Sequence, residues 1–340
     1  MQISENDHNI STIYDNHGRP INYVRLAVTD RCNLRCFYCM PEEGIKYLPK
    51  QQLLSYEEME RLISLLAGMG VYKVRITGGE PFVRQDLILF MEHISRIPGI
   101  RQITMTTNGV LTHKYIPRLK AMGIHSVNLS MDTLDKNRFF EITRRNEFDQ
   151  VMYSLESLIK HGIDTKINAV VMDGKNTQDI IPLAQLTKDQ PIDVRFIEEM
   201  PFNGEGSHYP VLTWNFKRIL EELKTVFPDI TKIPDAPHST AYHYQIPGHQ
   251  GKIGIIAAFS RTFCGTCNRI RITAQGQLKT CLYDEGVLDI KQLMRSGASD
   301  DLIKTALLQA FGNRAKDGYE AEQRRSSDLP VSESMSTIGG

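Results

Sequence analysis

The sequence predicts an α/β protein, built as an open partial (βα)6 barrel with a smaller C-terminal region. Six short β-branched runs alternate with helical patterns as far as Glu199, and strands that alternate with helices pair in parallel. Six units are fewer than the eight of a closed (βα)8 barrel. After Pro210 the pattern changes to one helix and several short strands. A doubly wound open sheet is the alternative fold.

The barrel elements follow one another in a regular order. The predicted strands lie at 21–29, 72–77, 102–107, 126–131, 165–171 and 193–199. The first predicted helix runs from about Ser55 to Met69, with Ser55 as its N-cap. Later helices begin near Asp86, His113, Phe148 and Thr177. In both candidate folds, functional loops lie at the C-terminal ends of the strands.

Beyond the barrel, we predict a helix over 213–227 and strands near 242–246 and 252–259. A hairpin over 268–283 should turn near Gln275 and Gly276. The division we expect is a barrel over 13–210, a C-terminal region over 211–325 that packs on the barrel, and a tail over 326–340. The tail is polar and Ser-rich, which is typical of a flexible segment, and it ends in Gly-Gly.

Composition excludes several classes of protein. Lys and Arg together number 40 and Asp and Glu also number 40, which argues against a nucleic-acid binder. No apolar run reaches the roughly 18 residues of a membrane span, and the N-terminus lacks a signal-peptide pattern. We therefore expect a cytoplasmic protein without a membrane anchor. In a reducing compartment, its six cysteines are metal ligands or catalytic groups rather than disulfides.

Three of the cysteines, Cys32, Cys36 and Cys39, follow the first strand with the spacing C-x3-C-x2-C. A [4Fe–4S] cluster fully ligated by protein has four cysteine thiolates, so three leave one iron open for chemistry. The alternative is a zinc site that a distant histidine completes.

The other three, Cys264, Cys267 and Cys281, have the spacing C-x2-C-x13-C, so this cluster too would keep an open iron. A structural zinc or iron–sulfur knuckle with a fourth ligand elsewhere is the alternative here.

Cations recur in strands that are otherwise apolar or alternating. Arginine forks bind phosphate through paired, charge-assisted hydrogen bonds, and no GxxxxGK[ST] loop is present, so side chains would have to bind any phosphate. Alternation leaves open whether these cations face the barrel interior or solvent. The candidates are Arg25, Arg75, Lys166, Arg195, Arg269 and Arg271.

The stretch CNLRCFYC, with TGGEP over 77–81 after the second strand, resembles the radical S-adenosylmethionine (SAM) superfamily. The resemblance implies a radical SAM barrel in which the open iron of the first cluster binds SAM. It also implies that Tyr38, Gly79, Ser130 and Met200 line the SAM site.

The two triads, the NRIR strand and the Gly-Gly end are similar, more narrowly, to the GTP 3′,8-cyclase family of molybdenum cofactor biosynthesis. The similarity implies a lyase with two [4Fe–4S] clusters. SAM cleavage would yield a radical that takes hydrogen from the ribose C3′ of GTP, and C3′ would then bond to guanine C8. The implied substrate contacts are the six cations and Thr106, and the implied catalytic residues are Cys32, Cys36, Cys39, Arg271, Gly339 and Gly340.

The same similarity implies an electron donor for the clusters and a downstream cyclic pyranopterin monophosphate synthase that accepts the product. Gly339 and Gly340 would thread beside the substrate, where the terminal carboxylate could meet Arg25; a disordered end is the alternative. Two other functions remain open: a peptide-modifying radical SAM enzyme and an iron–sulfur electron carrier. The sequence leaves a homodimer undecided.

Overall fold

The computed structural model describes residues 12–202, 211–326 and 334–339. Its strands are β1 Tyr23–Ala27, β2 Lys73–Thr77, β3 Gln102–Thr107, β4 Ser126–Ser130, β5 Thr165–Val171, β6 Asp193–Glu198, β7 Thr231–Lys232, β8 Ala241–Gln245, β9 Lys252–Ile256, β10 Arg269–Ile272, β11 Gln277–Lys279 and β12 Leu288–Asp289. Its α-helices are α1 Tyr56–Gly68, α2 Leu87–Ile94, α3 Ile116–Ala121, α4 Lys136–Thr143, α5 Phe148–Lys160, α6 Ile180–Asp189, α7 Phe216–Val226, α8 Ile290–Arg295, α9 Asp300–Gly312, α10 Gly318–Gln323 and α11 Met335–Ile338.

The six predicted barrel strands are confirmed, and they lie side by side in chain order, each parallel to the next. Right-handed crossovers that all advance in one direction place every helix that connects two of these strands on the same face of the sheet. A doubly wound sheet reverses direction near its middle, so that alternative is wrong. The first predicted helix is also confirmed, because Ser55 caps α1 in a capping box with Glu58.

The C-terminal strands continue this sheet at both edges. β10 pairs in parallel with β1, β9 pairs in parallel with β6, and antiparallel hairpins follow on each side. The predicted hairpin turn is confirmed at Gly276, which has a φ of +84°. The segment boundaries at 210 and 325 stay predictions, but the C-terminal strands share the sheet of the barrel.

The two faces of the sheet differ in chemistry. On the helix-covered face, aliphatic side chains alternate along each strand and pack against α1, α2 and α3 in one cluster and against α5, α6 and α7 in another. Val24, Val74 and Val194 are typical, with at most 1% of their surface exposed. Burial of each such side chain contributes about 1.5–3 kcal/mol. The polar and charged side chains that alternate with these aliphatic ones along each strand lie on the opposite face.

Several elements were not predicted. Helix α4 and helices α8 to α10 are among them, although α9 places the buried Ile303, Leu307 and Phe311 at helical spacing. Residues 334–339, predicted to be flexible from composition, instead contain α11 and its two caps, and Ile338 packs with Phe202 and Tyr283. No helix in the described ranges is both long and apolar enough to span a bilayer.

Candidate active site

The strand register brings the predicted cations to one face of the sheet. Arg25 lies opposite Arg75 on one side and Arg271 on the other. Lys166 is in register with Asn128, which is in register with Thr106. Because side chains alternate between the faces of a strand, Arg195 and Arg269 lie on this face as well. We call these cations, Arg25, Arg75, Lys166, Arg195, Arg269 and Arg271, the cation strip.

The two cysteine triads lie at opposite ends of these strands. The first triad follows the C-terminal end of β1. Cys267 precedes β10, which is parallel to β1, and Cys281 follows β11, which runs antiparallel. The second triad is therefore at the N-terminal edge of the sheet. At about 3.3 Å per residue, a five-residue strand such as β1 separates the two ends by roughly 15 Å.

The loop after β2 holds the first triad's loop in place. Gly79 donates its N–H to the carbonyl of Thr29 at 2.9 Å. A Cβ on Gly79 would lie 2.2 Å from the Arg31 carbonyl oxygen, and one on Gly78 would lie 2.5 Å from that of Thr29. Both glycines are therefore required by backbone packing, apart from any contact with SAM. Glu80, fully buried, accepts from Thr107 Oγ1 and from the N–H of Asn108, and burial raises its pKa to about 7.

Neutral groups surround the sulfur atoms of the first triad. Leu34 N and Asn108 Nδ2 donate to Cys32 Sγ at 3.4 and 3.7 Å. Burial raises the pKa of Cys32 to about 12, and the Glu80 carboxyl adds to this rise. Burial also raises the pKa of Cys39, to about 11, despite hydrogen bonds from Ser334 and the N–H groups at the start of α11.

Two of the predicted SAM-site residues, Tyr38 and Ser130, line one small cavity with Cys36, Asn108 and Asp132. Tyr38 donates its hydroxyl to Asp132 at 2.8 Å, and burial raises the pKa of that carboxyl to about 6. Met200 does not line this cavity. It packs instead against the apolar cluster of Phe202, Tyr283 and Ile338 beneath α11.

Charged donors surround the second triad. Arg269 Nη2 and Arg314 Nη2 lie 3.4 and 3.2 Å from Cys267 Sγ. Burial alone would raise the pKa of Cys267, but the two guanidiniums outweigh it and lower that pKa to about 6. Cys281, next to the Asp284 carboxylate, has its pKa raised to about 12, chiefly by burial.

Charge repulsion characterises the cation strip. Burial, followed by the neighbouring Arg269 charge, lowers the pKa of Arg271 to about 10. Burial and then Arg271 lower the pKa of Arg25 as well. Carboxylates contact the strip at its periphery, where Lys166 pairs with Asp164 and Arg195 lies 4.0 Å from Asp193. A multiply charged anion on this face would relieve the repulsion.

The tail approaches the strip directly. Arg271 Nη1 donates to the Gly339 carbonyl at 2.6 Å. Gly339 has a φ of +79°, and a Cβ there would lie 2.5 Å from Thr77 Oγ1. Only glycine is compatible with both the dihedral angle and the space. Gly340, and with it the predicted contact between the terminal carboxylate and Arg25, lies outside the described residues.

Sequence reasoning missed two groups of residues here. Tyr23 and Lys73 precede Arg25 and Arg75 by two positions, so the alternation that identified the arginines could also have identified them. The Arg75 guanidinium donates to the Tyr23 hydroxyl. Burial would raise the pKa of Tyr23, but Arg75, Arg25, Lys73 and Arg269 lower it to about 8. Arg314 lacked any signal, since it lies 47 positions from the cysteine it contacts.

The donor sets are suited to two iron–sulfur clusters. Each triad offers three free cysteines, and N–H groups point at Sγ of Cys32 and Cys267, as they do around ligating thiolates. Within the described residues, no three His, Cys, Asp or Glu side chains converge on a position for one metal ion.

Two family models match the chain. The Radical SAM superfamily model matches residues 26–187 and therefore includes the first triad. The Molybdenum Cofactor Synthesis C model matches residues 192–320 and includes the second triad.

Curated relatives match most of the chain. The GTP 3′,8-cyclase of Alkaliphilus oremlandii is 41% identical over 335 residues, which are 96% of this chain and 99% of that protein. The mitochondrial GTP 3′,8-cyclase of Arabidopsis thaliana is 40% identical over 86% of this chain and 75% of its own length. Molybdenum cofactor biosynthesis protein 1 of Homo sapiens is 40% identical over 89% of this chain. The chain spans about half the length of that relative and of its bovine and mouse counterparts.

Among solved structures, the chain is similar to SuiB of Streptococcus suis, which was crystallised with S-adenosylmethionine. The TM-score is 0.58 and the sequences are 16% identical, over 85% of this chain and 68% of SuiB. This similarity supports the barrel fold.

Proposed function

This chain belongs to the GTP 3′,8-cyclase family of radical SAM enzymes, and on that premise we propose that it is itself such a lyase. It would convert GTP to (8S)-3′,8-cyclo-7,8-dihydroguanosine 5′-triphosphate in molybdenum cofactor biosynthesis. Its cofactors are SAM and two [4Fe–4S] clusters, ligated by Cys32, Cys36 and Cys39 and by Cys264, Cys267 and Cys281.

One observation carries the proposal: the cation strip lies between two cysteine triads on one sheet face. The roughly 15 Å between the triads suits a nucleoside triphosphate lying along the strands. A peptide-modifying enzyme has no need of six cations on this face, and an electron carrier has no need of a strip between its clusters. The strip therefore favours a nucleotide substrate over both alternatives.

In this proposal the strip binds the triphosphate. Arg25, Arg75, Lys166 and Arg195 would contact phosphate oxygens, with Thr106 donating a hydroxyl. Thr106 is held 3.4 Å from Arg75 Nη1. Because the cations already repel one another, phosphate charge would be bound with a net gain in electrostatic energy. Arg269 and Arg271, nearer to the second triad along β10, would hold the end of the nucleotide closest to that triad.

At the other end, Tyr38, Gly79 and Ser130 would hold SAM beside the first triad. The Tyr38 hydroxyl is fixed by Asp132, and Gly79 is fixed against the Thr29 carbonyl. Met200 would contribute from beneath α11. When bound, the first cluster supplies the electron that cleaves SAM and so initiates radical formation.

Gly339 and Gly340 would close the site between the two ends. Gly339 is next to Thr77 at the end of β2 and accepts from Arg271, so the tail would fix that guanidinium while excluding water. Water exclusion protects a radical that would otherwise react with solvent components.

The partners of this reaction are proposals too. An external electron donor would reduce the clusters, and a cyclic pyranopterin monophosphate synthase would accept the product. A cytoplasmic location stays a prediction, and whether the chain forms a homodimer stays undecided.

The test is anaerobic turnover. We expect reconstituted protein, reduced and mixed with SAM and GTP, to release 5′-deoxyadenosine and a product with the mass of GTP but a different chromatographic retention. Deuterium at C3′ of GTP should appear in 5′-deoxyadenosine.

The matched control replaces GTP by ATP. A site that pairs with guanine should reject adenine strongly, because buried polar groups left unpaired are costly. Equal 5′-deoxyadenosine release and cyclisation with both nucleotides would refute guanine recognition. Release with a peptide but with neither nucleotide would refute the cyclase.

A further inference from the structure

Three residues far apart in sequence form one buried charged network beside the second triad. Asp15 and Arg19 belong to a turn before β1, and Arg314 follows α9. Arg19 Nε and Arg314 Nη1 approach Asp15 Oδ2 at 2.6 and 3.2 Å. All three side chains are almost completely buried, with at most 6% of their surface exposed. We call this network the arginine clamp.

Arg314 contacts the two segments that carry Cys267 and Cys281. Its Nη1 and Nη2 donate to the carbonyls of Cys267 and Arg269 at 2.9 and 2.7 Å. Its Nε donates to the carbonyl of Thr280, next to Cys281, at 2.9 Å. With Asp15 and Cys267 Sγ, these acceptors use the five N–H donors of a guanidinium.

Arg19 completes the set. Its Nη1 donates to the Cys264 carbonyl at 3.1 Å and to the Lys316 carbonyl, and its Nη2 donates to the Ala315 carbonyl at 2.8 Å. Each cysteine of the triad is therefore held at its own main chain or at the preceding residue. A carboxylate is needed between the guanidiniums, since two buried cations in proximity would otherwise repel each other.

Charge near the sulfur has a consequence for redox chemistry. A cluster gains negative charge on reduction, so hydrogen bonds to its sulfur atoms and nearby positive charge favour the reduced state. Arg314 supplies both at Cys267, as does Arg269 on the other side. The opposing carboxylates are Asp15, Asp317 near Cys264, and Asp284, which accepts from the N–H of Cys281 at 2.8 Å.

We propose that the arginine clamp sets the reduction potential of the second cluster, with the Arg314 guanidinium raising it and the Asp15 carboxylate lowering it. Arg314 is a positioning residue, because it acts through Cys267 and the ligand loops. The inference rests on the proposed function only in requiring a cluster at the second triad.

The test uses the full chain with Cys32, Cys36 and Cys39 changed to alanine, so that the second cluster is the sole source of signal. In an anaerobic titration followed by electron paramagnetic resonance, with photoreduced deazaflavin as reductant, Arg314→Gln should disfavour reduction at least tenfold. For a one-electron couple, tenfold is 59 mV. Arg314→Lys, which keeps the charge, should shift the potential less in the same direction.

Asp15→Asn should shift the reduction potential upward, because the carboxylate is lost. The decisive result is that this shift is opposite in sign to that of Arg314→Gln. Arg96→Gln, an exposed arginine after α2, is the matched control and should change nothing. If the substitutions merely loosened the site, the reduction potentials of Arg314→Gln and Asp15→Asn would shift in the same direction. That result would overturn the proposal.

Iron content separates the remaining outcomes. If Arg314→Gln lowers iron loading while the loaded fraction keeps the parent potential, the clamp is structural only and the proposal is wrong. If the Arg314→Gln variant does not bind iron at the second triad, an unchanged reduction potential in Arg314→Lys overturns the proposal. If the parent itself carries no iron at this triad, the clusters of the proposed function fail as well, whereas an unshifted potential in loaded variants leaves them intact.

Discussion

The two cysteine triads differ both in their spacing along the sequence and in their surroundings. The first triad occupies eight consecutive residues, its sulfur atoms receive neutral donors, and the carboxyls of Glu80 and Asp132 lie near. The second triad receives two guanidinium donors at Cys267. Negative charge near a cluster disfavours its reduced form and positive charge favours it.

This difference teaches how one chain could use two similar clusters for different tasks. A cluster with carboxyls nearby is a stronger reductant once reduced, which suits cleavage of SAM. A cluster surrounded by guanidiniums is suited to an anionic ligand. The tail joins the two regions, since Ser334 donates to the Cys39 carbonyl at 2.8 Å and Gly339 accepts from Arg271.

The largest effect should come from removing the first triad. Changing Cys32, Cys36 and Cys39 to alanine should leave about half of the eight irons expected of two [4Fe–4S] clusters and abolish 5′-deoxyadenosine formation. GTP binding, measured by equilibrium dialysis, should persist because the second triad and the strip are intact. Loss of all iron would show that the two sites do not load independently.

The reverse change sharpens the comparison. With Cys264, Cys267 and Cys281 changed to alanine, half of the iron should again be lost, but SAM binding should stay near the parent value. GTP affinity should fall, since the site would lose a ligand and part of its ordered loops. The role of the second triad in substrate binding is contradicted if this variant binds GTP as tightly as the parent.

Deleting Gly339 and Gly340 should reduce product formation by about a hundredfold, the loss expected when reacting groups are misplaced by about 1 Å. Iron content and SAM binding should stay near normal, because α11 and its contacts with Cys39 precede the deletion. Changing both glycines to alanine should have a similar effect through the clash at Thr77. Full activity in a chain that ends at Ile338 would show that Gly339 and Gly340 have no role in catalysis.

Single cations of the strip should matter less than a whole triad. Arg195→Ala should weaken GTP binding by about 2–5 kcal/mol, the cost of truncating a buried charged contact, or at least thirtyfold in Kd. Arg269→Ala and Arg271→Ala should behave likewise. Arg96→Ala, an exposed arginine, is the control. If all four variants had equal turnover at limiting GTP, these arginines would not bind GTP and their role would be structural.

The smallest effect should be a pH dependence from Tyr23. With its pKa near 8, the phenol loses its proton between pH 7 and 9 and adds a negative charge beside Arg75, Arg25, Lys73 and Arg269. GTP affinity should therefore fall about threefold to tenfold over this range, as expected of one charge several ångströms away. Tyr23→Phe should remove the decrease, and an identical pH profile in both proteins would exclude this role.

Local patterns were sufficient for most of the fold. The β-branched runs fixed all six barrel strands to within two residues at each end, because their alternation and length do not suit helices. Ser55 and Glu58 likewise determined the start of α1 through a local capping box. Helix α11 could not be predicted in this way, since four residues are too few for a periodic pattern and Ile338 is buried with the distant residues Phe202 and Tyr283.

The sequence by itself determined the chemistry of this protein: two cysteine triads, a TGGEP loop, the cations in the strands and a Gly-Gly end. Within each of these features the residues lie close together along the chain. Close spacing limits which side chains can bind the same ligand. Tertiary structure decided which face the cations occupy, since Arg25 reaches Arg75 and Arg271 only through the register of three parallel strands. It also decided that Arg314 donates to Cys267, because a buried guanidinium finds its acceptors by the folding of distant segments, and local sequence carries no trace of that contact.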